Sequence, residues 1–142
     1  MDTTILVNRS HRLRRNQIPQ LLVEPDILFT VPAGDARRLL LAPAANAVEK
    51  LFSRGKEENI YLCGVSGYRS YERQEELYRA KREKDPREEQ EVLWVAPPGA
   101  SEHQTGLAID IFSDTYTLLD EGFGETEAGK WLAEHSCEYG FT

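Results

Sequence analysis

A chain of 142 residues, 40% apolar and 29% charged, has the length and balance of one globular domain around one core. A formal net charge of −7 argues against nucleic acid or an anionic membrane surface as the main partner. Two cysteines set no disulfide framework, no N-terminal apolar run has signal-peptide length, and no stretch has membrane-spanning length. A location in the cytoplasm or at the cell envelope is left open, as is the oligomeric state.

Ile5-Leu6-Val7 reads as a short strand that ends in a turn at Asn8 and Arg9. Residues 10–18 carry Arg12, Arg14 and Arg15 with His11 and read as a solvated basic loop. Pro19, Pro25 and Pro32 impose extended segments and turns on residues 19–34. Pro43 suits the first turn of a helix whose stripe is Ala44, Val48, Leu51 and Phe52, with Gly55 as its stop. Ile60–Val65 is apolar on both faces and reads as a central strand.

That strand runs into Ser66-Gly67-Tyr68-Arg69-Ser70. Ser70 caps a helix from Tyr71 to Ala80, with Arg73 rather than glutamate at the third position, so the full capping box is absent. The charged tract 81–91 extends that helix, forms a loop or starts a second short helix. Val92-Leu93-Trp94-Val95 is short and apolar, and Pro97-Pro98-Gly99 turns the chain to present Ser101. Residues 79–100 are long for a simple connection and suit one wall of a groove.

Ser101-Glu102-His103-Gln104-Thr105-Gly106 then leads into Leu107-Ala108-Ile109-Asp110-Ile111-Phe112. The alternation predicts a strand with Leu107, Ile109 and Ile111 on one face and Asp110 on the other. A carboxylate in such a strand needs a partner, a cation or a metal. Zinc accepts imidazole nitrogen and carboxylate oxygen together, whereas a capping or salt-bridged pair is the structural alternative. Residues 113–126 read as a polar segment anchored by Tyr116, Leu118, Leu119 and Phe123. Thr126 caps a last helix, Glu127–Tyr139, with Trp131, Leu132 and Cys137 turned inward and Gly140 as its stop. Both thiols are expected to be buried and unpaired.

Ser66-Gly67-Tyr68-Arg69-Ser70 with Gln74, and the Ser-x-His-x-x-Gly-x-Ala-x-Asp pattern of Ser101 to Asp110, resemble the VanY-like zinc D-alanyl-D-alanine carboxypeptidases. Leu6-Val7-Asn8-Arg9 resembles that family's opening strand, and Trp131-Leu132 with Tyr139-Gly140-Phe141 a later segment. The resemblance covers nearly the whole chain. It implies an α+β fold, a small central antiparallel sheet flanked by helices, over residues 1–142 as one D,D-carboxypeptidase-like domain. It implies hydrolysis of peptidoglycan stem peptides or precursors ending in D-alanine.

The resemblance also assigns roles. His103 and Asp110 match two zinc ligands, Arg69 the arginine that stabilises charge, and Ser101 a substrate-binding position; Gln74, a little over one helical turn after Arg69 and Ser70, can turn its amide to the same substrate pocket. Glu102 is placed to orient His103 from behind. The third zinc histidine and the general-base glutamate belong to a Glu-Pro-Trp-His-type segment beyond the Tyr-Gly-Phe motif. None of the 142 residues matches it, and neither His11 nor His135 resembles it. An incomplete chain, a fragment or a degenerate member, inactive as it stands, is therefore expected. The competing readings are a non-catalytic peptidoglycan-binding module and an L,D- or endolysin-type peptidase of the same superfamily.

Overall fold

A computed structural model describes residue 7 and residues 10–84, 95–117 and 121–141. Its strands are β1 (Leu22–Val23), β2 (Leu40–Leu41), β3 (Leu62–Ser66) and β4 (Asp110–Ser113), and its helices α1 (Ala42–Glu57), α2 (Tyr71–Lys84) and α3 (Glu127–His135). Antiparallel β1–β2 and β3–β4 form two small sheets flanked by the helices, the α+β arrangement expected from the sequence. No helix among the described residues is long and apolar enough to cross a membrane.

Helix α1 is the common support. Pro43 sits in its first turn, where a missing N–H costs no helical hydrogen bond. One end of its buried stripe, Ala44, Ala45 and Val48, packs with Leu40 beneath Val23, Ile27, Leu107 and Ile109. The other end, Leu51, packs with Ile60, Leu62, Ala128 and Trp131. Burying a side chain such as Leu51 contributes about 1.5–3 kcal/mol, so this stripe sets where β3 and α3 dock.

Gly55 does not stop α1; the helix runs to Glu57. A Cβ at Gly55 would lie 2.9 Å from the Ile60 carbonyl oxygen, so the residue serves the tight return into β3. Strand β3 is central in a limited sense, with β4 on one edge and a single parallel bridge from Gly64 to Phe29 on the other. Its pairing with β4 shifts between Gly64 and Ser66, so Val65 is an extra residue opposite the Ile111–Asp110 step.

Several expectations change. Residues 10–18 are not simply solvated: Leu13 is buried, its N–H donates to the Gly99 carbonyl, and Arg15 pairs with Glu72 and Glu75 on α2. Only Asp110–Ser113 of the predicted strand is paired, although Leu107, Ile109 and Ile111 still turn toward the core. Helix α3 ends at His135 and a 3-10 turn completes the segment to Tyr139. Cys137 is exposed and Cys63 half-buried, both as free thiols. The apolar segments at residues 1–6 and 92–94, the anchors Leu118 and Leu119, and most of the charged tract lie outside the described residues.

Candidate metal and peptide site

Two turns form the site. The first, residues 66–70, leaves β3 and packs backbone against backbone on residues 37–39. Gly67 N–H donates to the Arg37 carbonyl at 2.6 Å, and Tyr68 N–H to the Leu39 carbonyl at 2.8 Å. Ser70 then caps α2 through its hydroxyl, which accepts from Arg73 N–H at 3.0 Å.

The second is a 3-10 turn, Glu102–Thr105. Ser101 caps it by accepting from His103 N–H at 3.2 Å, and Gly106 closes it at φ 75°, a left-handed conformation that favours glycine. Thr105 stitches the turn's end: its hydroxyl donates to the Glu102 carbonyl at 2.6 Å and accepts from Leu107 N–H at 3.0 Å. Gln104, 1% exposed, donates to the Arg14 and Gln17 carbonyls and so roots the turn in the N-terminal loop.

The two turns are bonded to each other. Arg69 N–H donates to the His103 carbonyl at 3.0 Å, and His103 Nδ1 lies 2.7 Å from the Gly67 carbonyl oxygen. A carbonyl only accepts, so Nδ1 carries a proton, and Nε2 is the nitrogen left to face outward. Asp110 Oδ1 stands 3.5 Å from that nitrogen. Strand β4 places the carboxylate there by pairing Asp110 with Ser66 at the start of the first turn.

A cleft of about 650 Å³ opens beside Asp110, lined among others by Asp35, Arg37, Ser66, Tyr68, Arg69 and Arg73. Burial pushes the Arg69 guanidinium below its ordinary pKa; Asp110 opposes that shift and Arg73 adds to it. Among the described residues Arg69 bonds to neutral acceptors, Gln74 Oε1 at 3.0 Å and, more weakly, Ser66 Oγ at 3.5 Å. At the rim Asp35 grips Arg37 through two bonds, of 3.0 and 2.7 Å. The Arg37 guanidinium and N–H hold the Asp35 carboxyl down at about 2.

Of the residues singled out from the sequence, Asp110 and Arg69 line this cleft; His103 does not line it but reaches Asp110 at 3.5 Å, and Ser101 is buried where it caps the His103 turn. Gln74 is 2% exposed and does not line the cleft; its amide is engaged by Arg69 and the Ala96 carbonyl. Glu102 is exposed, and the backbone of Gly67 orients His103 in its place. His135 stacks on Trp131 and approaches Glu138 at 3.2 Å. Sequence reasoning misses Asp35 and Arg37 as cleft residues, because nothing in their local sequence places them beside residues 66–70. Among the described residues no three His, Cys, Asp or Glu side chains gather to hold a metal ion.

The family model for VanY, D-alanyl-D-alanine carboxypeptidase, matches residues 37–142. The chain belongs to this family. It is 41% identical over 138 residues to YodJ of Bacillus subtilis (strain 168), covering 96% of this chain and 50% of YodJ. The chain thus spans about half the length of the curated relatives it matches first. The structure of the LdcB LD-carboxypeptidase superposes with a TM-score of 0.87 at 39% identity, over 95% of this chain and 63% of LdcB. A vancomycin-resistance D,D-pentapeptidase, a VanY mutant in complex with Zn(II), superposes at 0.69 with 27% identity, over 96% of this chain and 72% of VanY.

Proposed function

We propose that this VanY-family chain builds a zinc-dependent D-alanyl-D-alanine carboxypeptidase site for peptidoglycan stem peptides or their precursors. The observation that carries the reading is the face-to-face placement of His103 Nε2 and the Asp110 carboxylate. An imidazole nitrogen and a carboxylate so placed attract only when a cation, a metal ion or a proton, lies between them, and both residue types are zinc donors. Donors about 2.0–2.2 Å from a tetrahedral zinc stand roughly 3.3–3.6 Å apart, and these two stand 3.5 Å apart.

His103 and Asp110 would therefore hold the metal. Bound zinc supplies Lewis-acid polarisation of a peptide carbonyl and a water of lowered pKa. The remaining roles fall to the chain's own residues. Gly67 fixes the imidazole tautomer from behind. Arg69, half-buried, hydrogen-bonded to neutral acceptors and facing the Asp110 charge, presents its guanidinium to an oxygen of the peptide that is or becomes negative. The Ser101 hydroxyl accepts from His103 N–H and so holds the turn that carries the imidazole. Turnover needs a further donor and a proton-accepting base besides the groups gathered here.

The test is zinc-dependent binding and D-alanine release with two synthetic stem peptides. One ends in D-Ala-D-Ala; the other ends in a single D-alanine after an L-residue. The likeness to LdcB favours the second peptide and an L,D-carboxypeptidase as the alternative. Because turnover needs that further donor and base, zinc-dependent binding without release is the outcome expected of these residues; binding that is indifferent to zinc would favour a non-catalytic peptidoglycan-binding module. If neither peptide binds in a zinc-dependent way, the proposal fails.

A further inference from the structure

We infer that Gln74 is a positioning residue, which couples Arg69 to the chain leading into His103 and does not itself touch the peptide. The inference rests on the role of Arg69 in the proposed site. Gln74 is 2% exposed and is absent from the lining of the cleft, although Arg73 and Leu77 on the same helix line it. Its Oε1 accepts from Arg69 Nη1 at 3.0 Å, and its amide nitrogen donates to the Ala96 carbonyl at 2.7 Å. Helix α2 presents it one turn after the cap, where Gln74 N–H donates to the Ser70 carbonyl at 3.0 Å.

The chemistry admits one orientation. Ala96 offers a carbonyl oxygen, so the NH2 of Gln74 must face it, and Oε1 is left for the guanidinium. Ala96 directly precedes the turn Pro97–Ala100, closed by Ala100 N–H on the Pro97 carbonyl at 2.9 Å, which leads into Ser101. One amide therefore links the charged end of the cleft wall to the root of the turn that carries His103. The link runs parallel to the backbone bond from Arg69 to His103, so guanidinium and imidazole are fixed in one frame. A glutamate at this position would keep an acceptor for Arg69 and set its second oxygen against the Ala96 carbonyl. A leucine would remove both contacts.

The experiment separates those two halves by nitrogen NMR of arginine side chains and amide hydrogen exchange on the 142-residue protein, without zinc or peptide. In the wild type, Arg69 is expected to show restricted guanidinium rotation, and Ala100 N–H slow exchange. Gln74→Glu should retain the Arg69 signature while Ala100 exchange accelerates by about tenfold, because losing the Gln74–Ala96 bond frees the turn to open. Gln74→Leu should release both. Thermal unfolding confirms that the variants fold. A freely rotating Arg69 in the wild type, which needs no variant, overturns the inference. So does a Gln74→Leu protein whose Arg69 stays restricted, or identical behaviour of the two variants, which a packing role alone would give. Because no metal or peptide is present, absence of D-alanine release leaves this result standing. Unchanged peptide affinity in Arg69→Ala would instead overturn the reading of the site, and with it the purpose of the coupling.

Discussion

His103 Nε2 faces Asp110 Oδ1 across 3.5 Å while Nδ1 of the same ring is held by the Gly67 carbonyl at 2.7 Å. The backbone bond decides which nitrogen is free, and β4 decides what that nitrogen meets. Replacing either His103 or Asp110 with alanine should therefore cost more zinc affinity than the roughly 10–100-fold expected from loss of an outer partner. Competition against a chromogenic chelator measures it. Retention of wild-type affinity by both variants would remove the metal from the site.

Arg69 should not tolerate lysine. Arg69→Lys keeps the charge but loses the planar fork that spans Gln74 and Ser66, so it should behave much like Arg69→Ala. A hydrogen bond to a charged group contributes about 1.5–3 kcal/mol, so peptide affinity should fall by roughly 10–100-fold in both. Calorimetry with zinc-loaded protein checks this; full rescue by lysine would show that charge alone suffices.

How far the site could be read from the sequence depends on what each contact is made of. His103 and Asp110 share one stretch, so chemistry and alternation raised them as a pair, and the motif resemblance rather than the spacing gave them the metal role. The Gly67 carbonyl that orients His103 is backbone and leaves no residue-type signal, which is why Glu102 stood in its place. Gln74 has the identity a substrate-binding residue would have, and only its burial shows where its amide is spent. The fold follows the same division. Pro43, Ser70 and Thr126 mark helix starts by local chemistry and are found where expected. Gly55 misleads because its reason is the neighbouring Ile60 carbonyl, a close approach that no local rule contains.

Gly129 offers a reversal of sign. Alanine usually stabilises a helix interior by up to about 1 kcal/mol over glycine. Here a Cβ would overlap the Phe123 carbonyl oxygen, in the segment that Thr126 ties down as α3 begins. Gly129→Ala should instead destabilise by about 1–3 kcal/mol, the usual range for overpacking. Chemical denaturation decides it, and a stabilised Gly129→Ala protein would refute the packing described.

The rim pair gives a pH dependence. Asp35 titrates at about 2 in the folded chain, below its ordinary 3.8, chiefly through the Arg37 guanidinium. Its folded value is the lower one, so its stabilising contribution is complete above pH 3.8 and is lost as pH falls through about 2. Carboxyl NMR of Asp35 should show the depressed midpoint, and Asp35→Asn should remove that part of the acid dependence. A midpoint near the ordinary value would contradict the pairing.

The extra residue at Val65 also bears on how this chain can vary in length. Beyond it, Ser66 is set opposite Asp110, and the turn that starts there delivers the Gly67 carbonyl and the Arg69 side chain. A bulge absorbs one extra residue and bends the strand that carries it, so Val65 can be lost with Gly64 still opposite Ile111 and Ser66 opposite Asp110, while the angle at which the strand enters the turn would change.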